Sequence, residues 1–166
     1  MQTKIQRISP CLWFDRQAEE AVALYTSIFP NSHIGTITRH GKESAEISGI
    51  PEGTVLAIDF QLDGVDFAAI NGGPIFKFTE AISLVIKCDT QAEVDHYWTR
   101  LSEGGDEKAQ QCGWLKDRYG LSWQVTPVVL YQLLSDPDPA RATRASAAMM
   151  QMKKLDIAAL LKAADG

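Results

Sequence analysis

The chain has no run of about 18 apolar residues, the length a membrane-spanning helix needs, and no basic stripe of the kind a nucleic-acid surface needs. Its first residues, Met1-Gln2-Thr3-Lys4-Ile5-Gln6-Arg7, contain no apolar stretch and no small-residue cleavage site, so no secretory signal is expected. Cysteine is scarce. Cys11, Cys88 and Cys112 are an odd number at wide spacing, without a C-x-x-C pair, and only His33, His40 and His96 stand ready to assist them at a metal. This argues against a Cys/His zinc centre and for free thiols in a reducing compartment, the cytoplasm.

What remains is ordinary for one globular domain. The 166 residues are 45% hydrophobic and 22% charged, with a net charge of −5, enough to bury a core and too mildly acidic to imply a charged partner.

Residues 5–14 read as a strand, with Asp15 as N-cap of a helix over 17–29 that buries Ala21, Leu24, Tyr25 and Ile28. Pro30-Asn31 stops that helix, a polar strand follows over 32–39, and the glycines of residues 40–53 read as a long loop. Residues 54–62 alternate, with Leu56, Ile58, Phe60 and Leu62 on one face. Asp63-Gly64 is a two-residue hairpin turn, and the return strand over 65–71 adds Val65, Phe67 and Ala69 to that face. Asp59, Gln61 and Asp66 point the other way. A second strand covers 81–88, and Thr90 with Glu93 makes a capping box for a helix that buries Val94, Tyr97, Trp98 and Leu101. Short strands over 112–116 and 121–127 flank a turn at 117–120. Ala140 to Lys154 is rich in helix formers, and Asp156 caps a last short helix.

The two halves match. Asp15-x-Gln17-Ala18-Glu19 recurs in the second half as Asp89-x-Gln91-Ala92-Glu93, and Gly64-Val65-Asp66-Phe67-Ala68 aligns with Gly120-Leu121-Ser122-Trp123-Gln124. The expected fold class is α+β: tandem βαβββ modules over 5–73 and 80–127, with a helical tail over 128–166.

Leu12-Trp13-Phe14-Asp15, Asn71-Gly72-Gly73-Pro74, the string from Cys112 to Gln124 and Met152-Lys153-Lys154-Leu155-Asp156 together resemble the PhnB-like family. That family carries the label 3-demethylubiquinone-9 3-methyltransferase and lies within the vicinal-oxygen-chelate superfamily of glyoxalases, bleomycin-resistance proteins and dioxygenases. The resemblance implies a homodimer with a small-molecule cavity on the sheet. The residues do not support the methyltransferase label. A cofactor loop of that kind opens a helix after a strand, and neither Gly72-Gly73 nor Gly104-Gly105 is so placed.

The superfamily's metal ligands come from the first and last strand of each module. By spacing, those positions here are Ile8, Ala68, Ile82 and Gln124. Only Gln124 offers a lone pair, and one neutral oxygen does not hold a divalent ion, so no metal and no cofactor is expected. The candidate ligand-binding residues are Gln124, Trp13, Asn71, Cys112, Trp114 and Asp59. Gln124 would bond through its amide, and Trp13 and Trp114 would serve as walls. Cys112 would need a cationic neighbour such as Lys116 or Arg118 to become a nucleophile. All six have a purely structural reading as well: a bond across the sheet for Gln124, core packing for Trp13 and Trp114, a strand exit for Asn71, a solvated strand position for Asp59 and a small buried side chain for Cys112. Three functions stay open: a metal-independent binder or enzyme acting on a small organic molecule, a metal-dependent lyase, isomerase or dioxygenase, and a protein that sequesters its ligand without turnover. No nucleic-acid or membrane partner is expected.

Overall fold

The computed structural model describes residues 5–166, so the expectation about a leader falls partly outside the described residues. The chain divides into two units, one ending at Lys77 and one beginning at Phe78.

In the first unit, β1 (Cys11–Phe14), β2 (His33–Arg39), β3 (Val55–Leu62) and β4 (Val65–Asn71) form one sheet in the order β1-β4-β3-β2. β1 is parallel to β4, and the other pairs are antiparallel. α1 (Ala18–Ile28) packs on one face of this sheet through Ala18, Ala21, Val22, Tyr25 and Ile28; Leu24 is only half-buried. Ile58, Phe60, Leu62, Phe67 and Ala69 are buried as their alternation requires. The Asp63-Gly64 turn has φ of 45° and 77°, as a type I′ hairpin demands.

Four expectations are corrected here. β1 begins at Cys11, because Pro10 has no N–H to give a ladder and contributes only its carbonyl, to Ala68. Asp15 is not the cap of α1: the turn is entered at Gln17 without a side-chain cap of its own, and the Ala18 N–H is taken by Asn71 Oδ1 at 2.9 Å, from the end of β4. Residues 40–53 contain a helix, α2 (Lys42–Ser48), ended by Gly49 at φ 71°; the flanking glycines hid it. Leu56 is exposed, because β3 carries one extra residue between the pairs Thr38↔Ala57 and Arg39↔Val55. That bulge turns Leu56 out and Val55 in. Val65, beside the turn, is also exposed.

In the second unit, β5 (Ser83–Cys88), β6 (Trp114–Lys116) and β7 (Ser122–Pro127) form a sheet in the order β5-β7-β6, again with a parallel first-to-last pair. α3 (Gln91–Ser102) starts from the Thr90–Glu93 capping box and buries Val94, Trp98 and Leu101, with Tyr97 half-buried. Where the first unit has β2, the second has a 3-10 turn at Glu107–Ala109, which touches β6.

The register joins the two repeat alignments. Cys11 pairs with Ala68, and Val85 pairs with Gln124. Val85 stands before Asp89 as Cys11 stands before Asp15, and Gln124 follows Gly120 as Ala68 follows Gly64. One rung of each sheet thus satisfies both alignments. The tail forms α4 (Val128–Leu134), α5 (Pro139–Met150) and α6 (Ile157–Asp165), around a core of Leu130, Leu133, Ala145, Leu155, Leu160 and Ala164. The helix read through Lys154 ends at Met150. The next residues leave it to accept Cys112 N–H at Met152 and Gly113 N–H at Lys153, both at 2.8 Å.

Candidate functional site

Each sheet commits one face to its helix and leaves the other to polar and aromatic side chains. On the first sheet the open face is set by the register: Cys11 and Trp13 on β1, Asp66, Ala68 and Ile70 on β4, Ala57, Asp59 and Gln61 on β3. A cavity of about 330 Å³ lies here, lined by Gln6, Ser9, His33, Asp59, Gln61 and Asp66 among others. Gln61 Nε2 donates to Asp66 Oδ1 at 2.8 Å, and the Gln6 amide clasps the Asp66 backbone from both sides. The alternation of β3 and β4 foretold Asp59, Gln61 and Asp66. His33 was missed because its strand was read only as polar; its register position opposite Gln61 brings it to the same face.

Trp13 stands at the other end of this face. Its Nε1 donates to Gly73 O at 2.9 Å, and its ring meets Phe76 edge-on, centroids 4.9 Å apart. A Cβ on Gly72 would fall 2.1 Å from that ring, so the close approach needs glycine. The Asn71 amide is buried and used at both ends, by Ala18 N–H and by the Val55 carbonyl, each at 2.9 Å. The Gly72 and Gly73 amides bond the carbonyls of Phe14 and Asp15. The segment from Asn71 to Gly73 therefore ties strand ends together, and those two amides are spent on it.

The second sheet brings Trp114 and Gln124 together. They are directly opposite on β6 and β7, both half-buried, and Gln124 Nε2 donates to Ser83 Oγ at 2.8 Å. On the next row of the same face, Ser122 lies between Ser83 on one side and Lys116 on the other. Lys116 forms an ion pair with Glu80, and that hydrogen bond holds the Glu80 carboxyl below its ordinary range. Strand alternation puts Ser122 on the same face as Gln124, but no spacing in the sequence reveals Ser83, Lys116 and Glu80 as its neighbours.

Cys112 sits apart from that row, with left-handed backbone at φ 51° and its Sγ 3.7 Å from Met150 Sδ. The cations that would activate it are engaged elsewhere, Lys116 by Glu80 and Arg118 by Glu103. Cys88 is buried, and burial, reinforced by Glu93 and Asp89, pushes its thiol up to about 12. Burial also raises the Cys11 thiol. Asp117 makes the expected turn to Gly120: its Oδ1 accepts from Tyr119 N–H and Leu121 N–H.

The family model described as 3-demethylubiquinone-9 3-methyltransferase matches residues 6–126. The PhnB protein of Bacillus cereus, described by the same methyltransferase name, is 34% identical, with 74% of this chain and all of that one covered and a TM-score of 0.66. The chain belongs to this family. The PhnB-like fold extends to more distant structures. A protein of Pseudomonas aeruginosa is 19% identical over 75% of this chain and 98% of its own, at TM-score 0.56. A fosfomycin resistance protein of Listeria monocytogenes, complexed with Mn(II) and 1S,2S-dihydroxypropylphosphonic acid, is 16% identical over 72% and 90%, at TM-score 0.51. No curated protein matches the sequence.

The four positions expected to hold the superfamily's divalent metal do not supply a donor set in this PhnB-like chain. Ile8 lies outside β1 and Ile82 just ahead of β5, both largely exposed, correcting their expected places within strands. Ala68 has no donor, and Gln124 is the one member of the set that does. Among the described residues, no three His, Cys, Asp or Glu side chains converge where they could hold a metal. No described helix is long and apolar enough to cross a membrane.

Proposed function

We propose that this PhnB-like protein binds a small organic molecule against the open sheet faces and needs no divalent metal to do so. The observation that carries the reading is Trp114 opposite Gln124: an aromatic wall beside a hydrogen-bonding amide, where Gln124 alone of the four expected metal-ligand positions has a lone pair to offer. Gln124 and Trp114 contact a ligand on the second face, Asp59 contacts one on the first face, whose end Trp13 closes, and Asn71 and Cys112 hold the frame. The protein works as a homodimer in the cytoplasm. Exposed Ile75 and Phe76 of the first unit supply apolar surface that a second copy would cover, and three free thiols suit a reducing compartment.

The test is elemental analysis after dialysis against zinc, nickel, manganese and iron(II), followed by a small-molecule thermal-shift screen. Ligand-dependent stabilisation without retained metal is the expected result. One ion held per subunit would return the chain to the metal-dependent lyases, isomerases and dioxygenases. Stabilisation by a compound recovered unchanged would favour a sequestering protein, and turnover that survives chelator would favour a metal-free enzyme. Light scattering reads the dimer directly.

A further inference from the structure

Ser122 lies on the central strand of the second sheet, 1% exposed, and its hydroxyl has no hydrogen-bond partner among the described residues. A buried hydroxyl left in this state is costly, and it is rare in a folded protein. It is not on the helix side: Trp123 and Val125 fill that face, and Ser122 faces the other way with Gln124. Its cross-strand neighbour is Lys116, and its parallel neighbour is Ser83. The Lys116 side chain is three-quarters covered, and its ammonium is met by one carboxylate, from Glu80. Glu80 is exposed and belongs to the turn ahead of β5, outside the sheet.

A half-buried cation, an unsatisfied hydroxyl and an amide on adjacent strands make a set that a ligand oxygen would complete. Glu80 demonstrates which ligand: the Lys116 ammonium donates to a carboxylate that is itself exposed to solvent. Trp114, one row along on the same strand, adds an aromatic surface for the body that bears it.

We propose that the open face of the second sheet binds the carboxylate of a small aromatic or apolar organic acid, with Lys116 and Ser122 as its anchors and Glu80 holding the place until it arrives. The proposal rests on the reading that the sheet faces bind an organic ligand, and it names that ligand's class. Glu80 is then a competitor. An incoming acid exchanges one carboxylate for another on Lys116 and gains the Ser122 hydroxyl, which Glu80 leaves unmet.

The test is calorimetric titration of the full chain with benzoate, benzyl alcohol and benzylamine, alone and in the variants Lys116→Met, Ser122→Ala and Glu80→Gln. Benzoate is expected to bind about tenfold tighter than benzyl alcohol, with benzylamine weakest. Lys116→Met removes the advantage of benzoate, and Ser122→Ala reduces it several-fold without lowering the melting temperature. Glu80→Gln, a surface change that leaves the fold intact, tightens benzoate several-fold because the competitor is gone. Benzoate no better than benzyl alcohol, or benzoate indifferent to Lys116→Met, would overturn the carboxylate assignment and leave standing the reading that the sheet face binds an organic molecule. A weakening in Glu80→Gln would overturn the competitor role. Binding of none of the three probes would overturn both readings of this face.

Discussion

Asp117 Oδ2 accepts a hydrogen bond from the Trp123 indole at 2.8 Å, and both residues are buried. With Oδ1 serving two backbone N–H groups, one carboxylate joins the turn at 117–120 to the helix face of the sheet. Asp117→Ala strips acceptors from buried donors and is expected to cost about 3 kcal/mol in urea unfolding. Ligand affinity measured below the unfolding transition is expected to stay unchanged. A loss of affinity at unaltered stability would move Asp117 to the site instead.

Asn71 and Gly72 carry the equivalent load in the first unit. Asn71→Ala frees Ala18 N–H and the Val55 carbonyl at once and is expected to cost about 2 kcal/mol. Gly72→Ala drives a methyl into the Trp13 ring. The expected result is a lower melting temperature together with a shift in tryptophan emission, because the ring has to leave its place over Gly72. An unchanged spectrum would show that the strand exit moves instead.

The cysteines divide by access. Cys11 and Cys112 are expected to react with Ellman's reagent in the native chain, and Cys88 only after unfolding. Cys88 also sets an alkaline limit. Its folded thiol is pushed up to about 12 from an ordinary value of 9.0. Above pH 9 the unfolded chain releases this proton while the folded chain keeps it, so stability is full below pH 9 and falls as pH rises toward 12. Cys88→Ala is expected to flatten that part of the stability profile, as followed by urea midpoints between pH 8 and 11.

Gln91 is the point where the tail meets α3. Its amide donates to Leu155 O at 3.1 Å and accepts from Ile157 N–H at 2.8 Å, beside an ion pair between Lys154 and Asp95. Gln91→Ala is expected to cost about 1–2 kcal/mol and to speed hydrogen exchange in α6 before any other element. Uniform exchange across the second unit would show that the tail and the sheet unfold as one.

The repeat was legible because it is written in short-range signals: Asp63-Gly64 at a hairpin, Thr90 with Glu93 at a helix start, and apolar residues at helical and strand periods. The same signals misled where a distant group substituted for a local one. Asp15 looked like a cap because nothing in the chain near it announced that Asn71, at the far end of β4, would take the Ala18 N–H. α2 was missed because Gly41 and Gly49 outweighed the helix formers between them, although Gly49 is the left-handed stop a helix uses. The open faces followed from alternation alone, which gave Asp59, Gln61, Asp66, Ser122 and Gln124. Lys116 and Glu80 depended on a pairing between strand and turn that no spacing reveals.

The two units differ in one dimension. Cys11 with Ala68 and Val85 with Gln124 are the same rung of their sheets, yet the chain joining the first pair is much the longer. Much of the excess is held in the excursion that carries α2, and its neck is drawn shut by His40 N–H to Thr54 O and Gly53 N–H to His40 O, both at 2.8 Å. A segment whose two ends are already stitched together is a detachable cassette. It can be shortened to a tight turn, lengthened or exchanged for foreign sequence while the strands on either side keep their partners, which makes it the natural place to graft a tag or a reporter onto this scaffold.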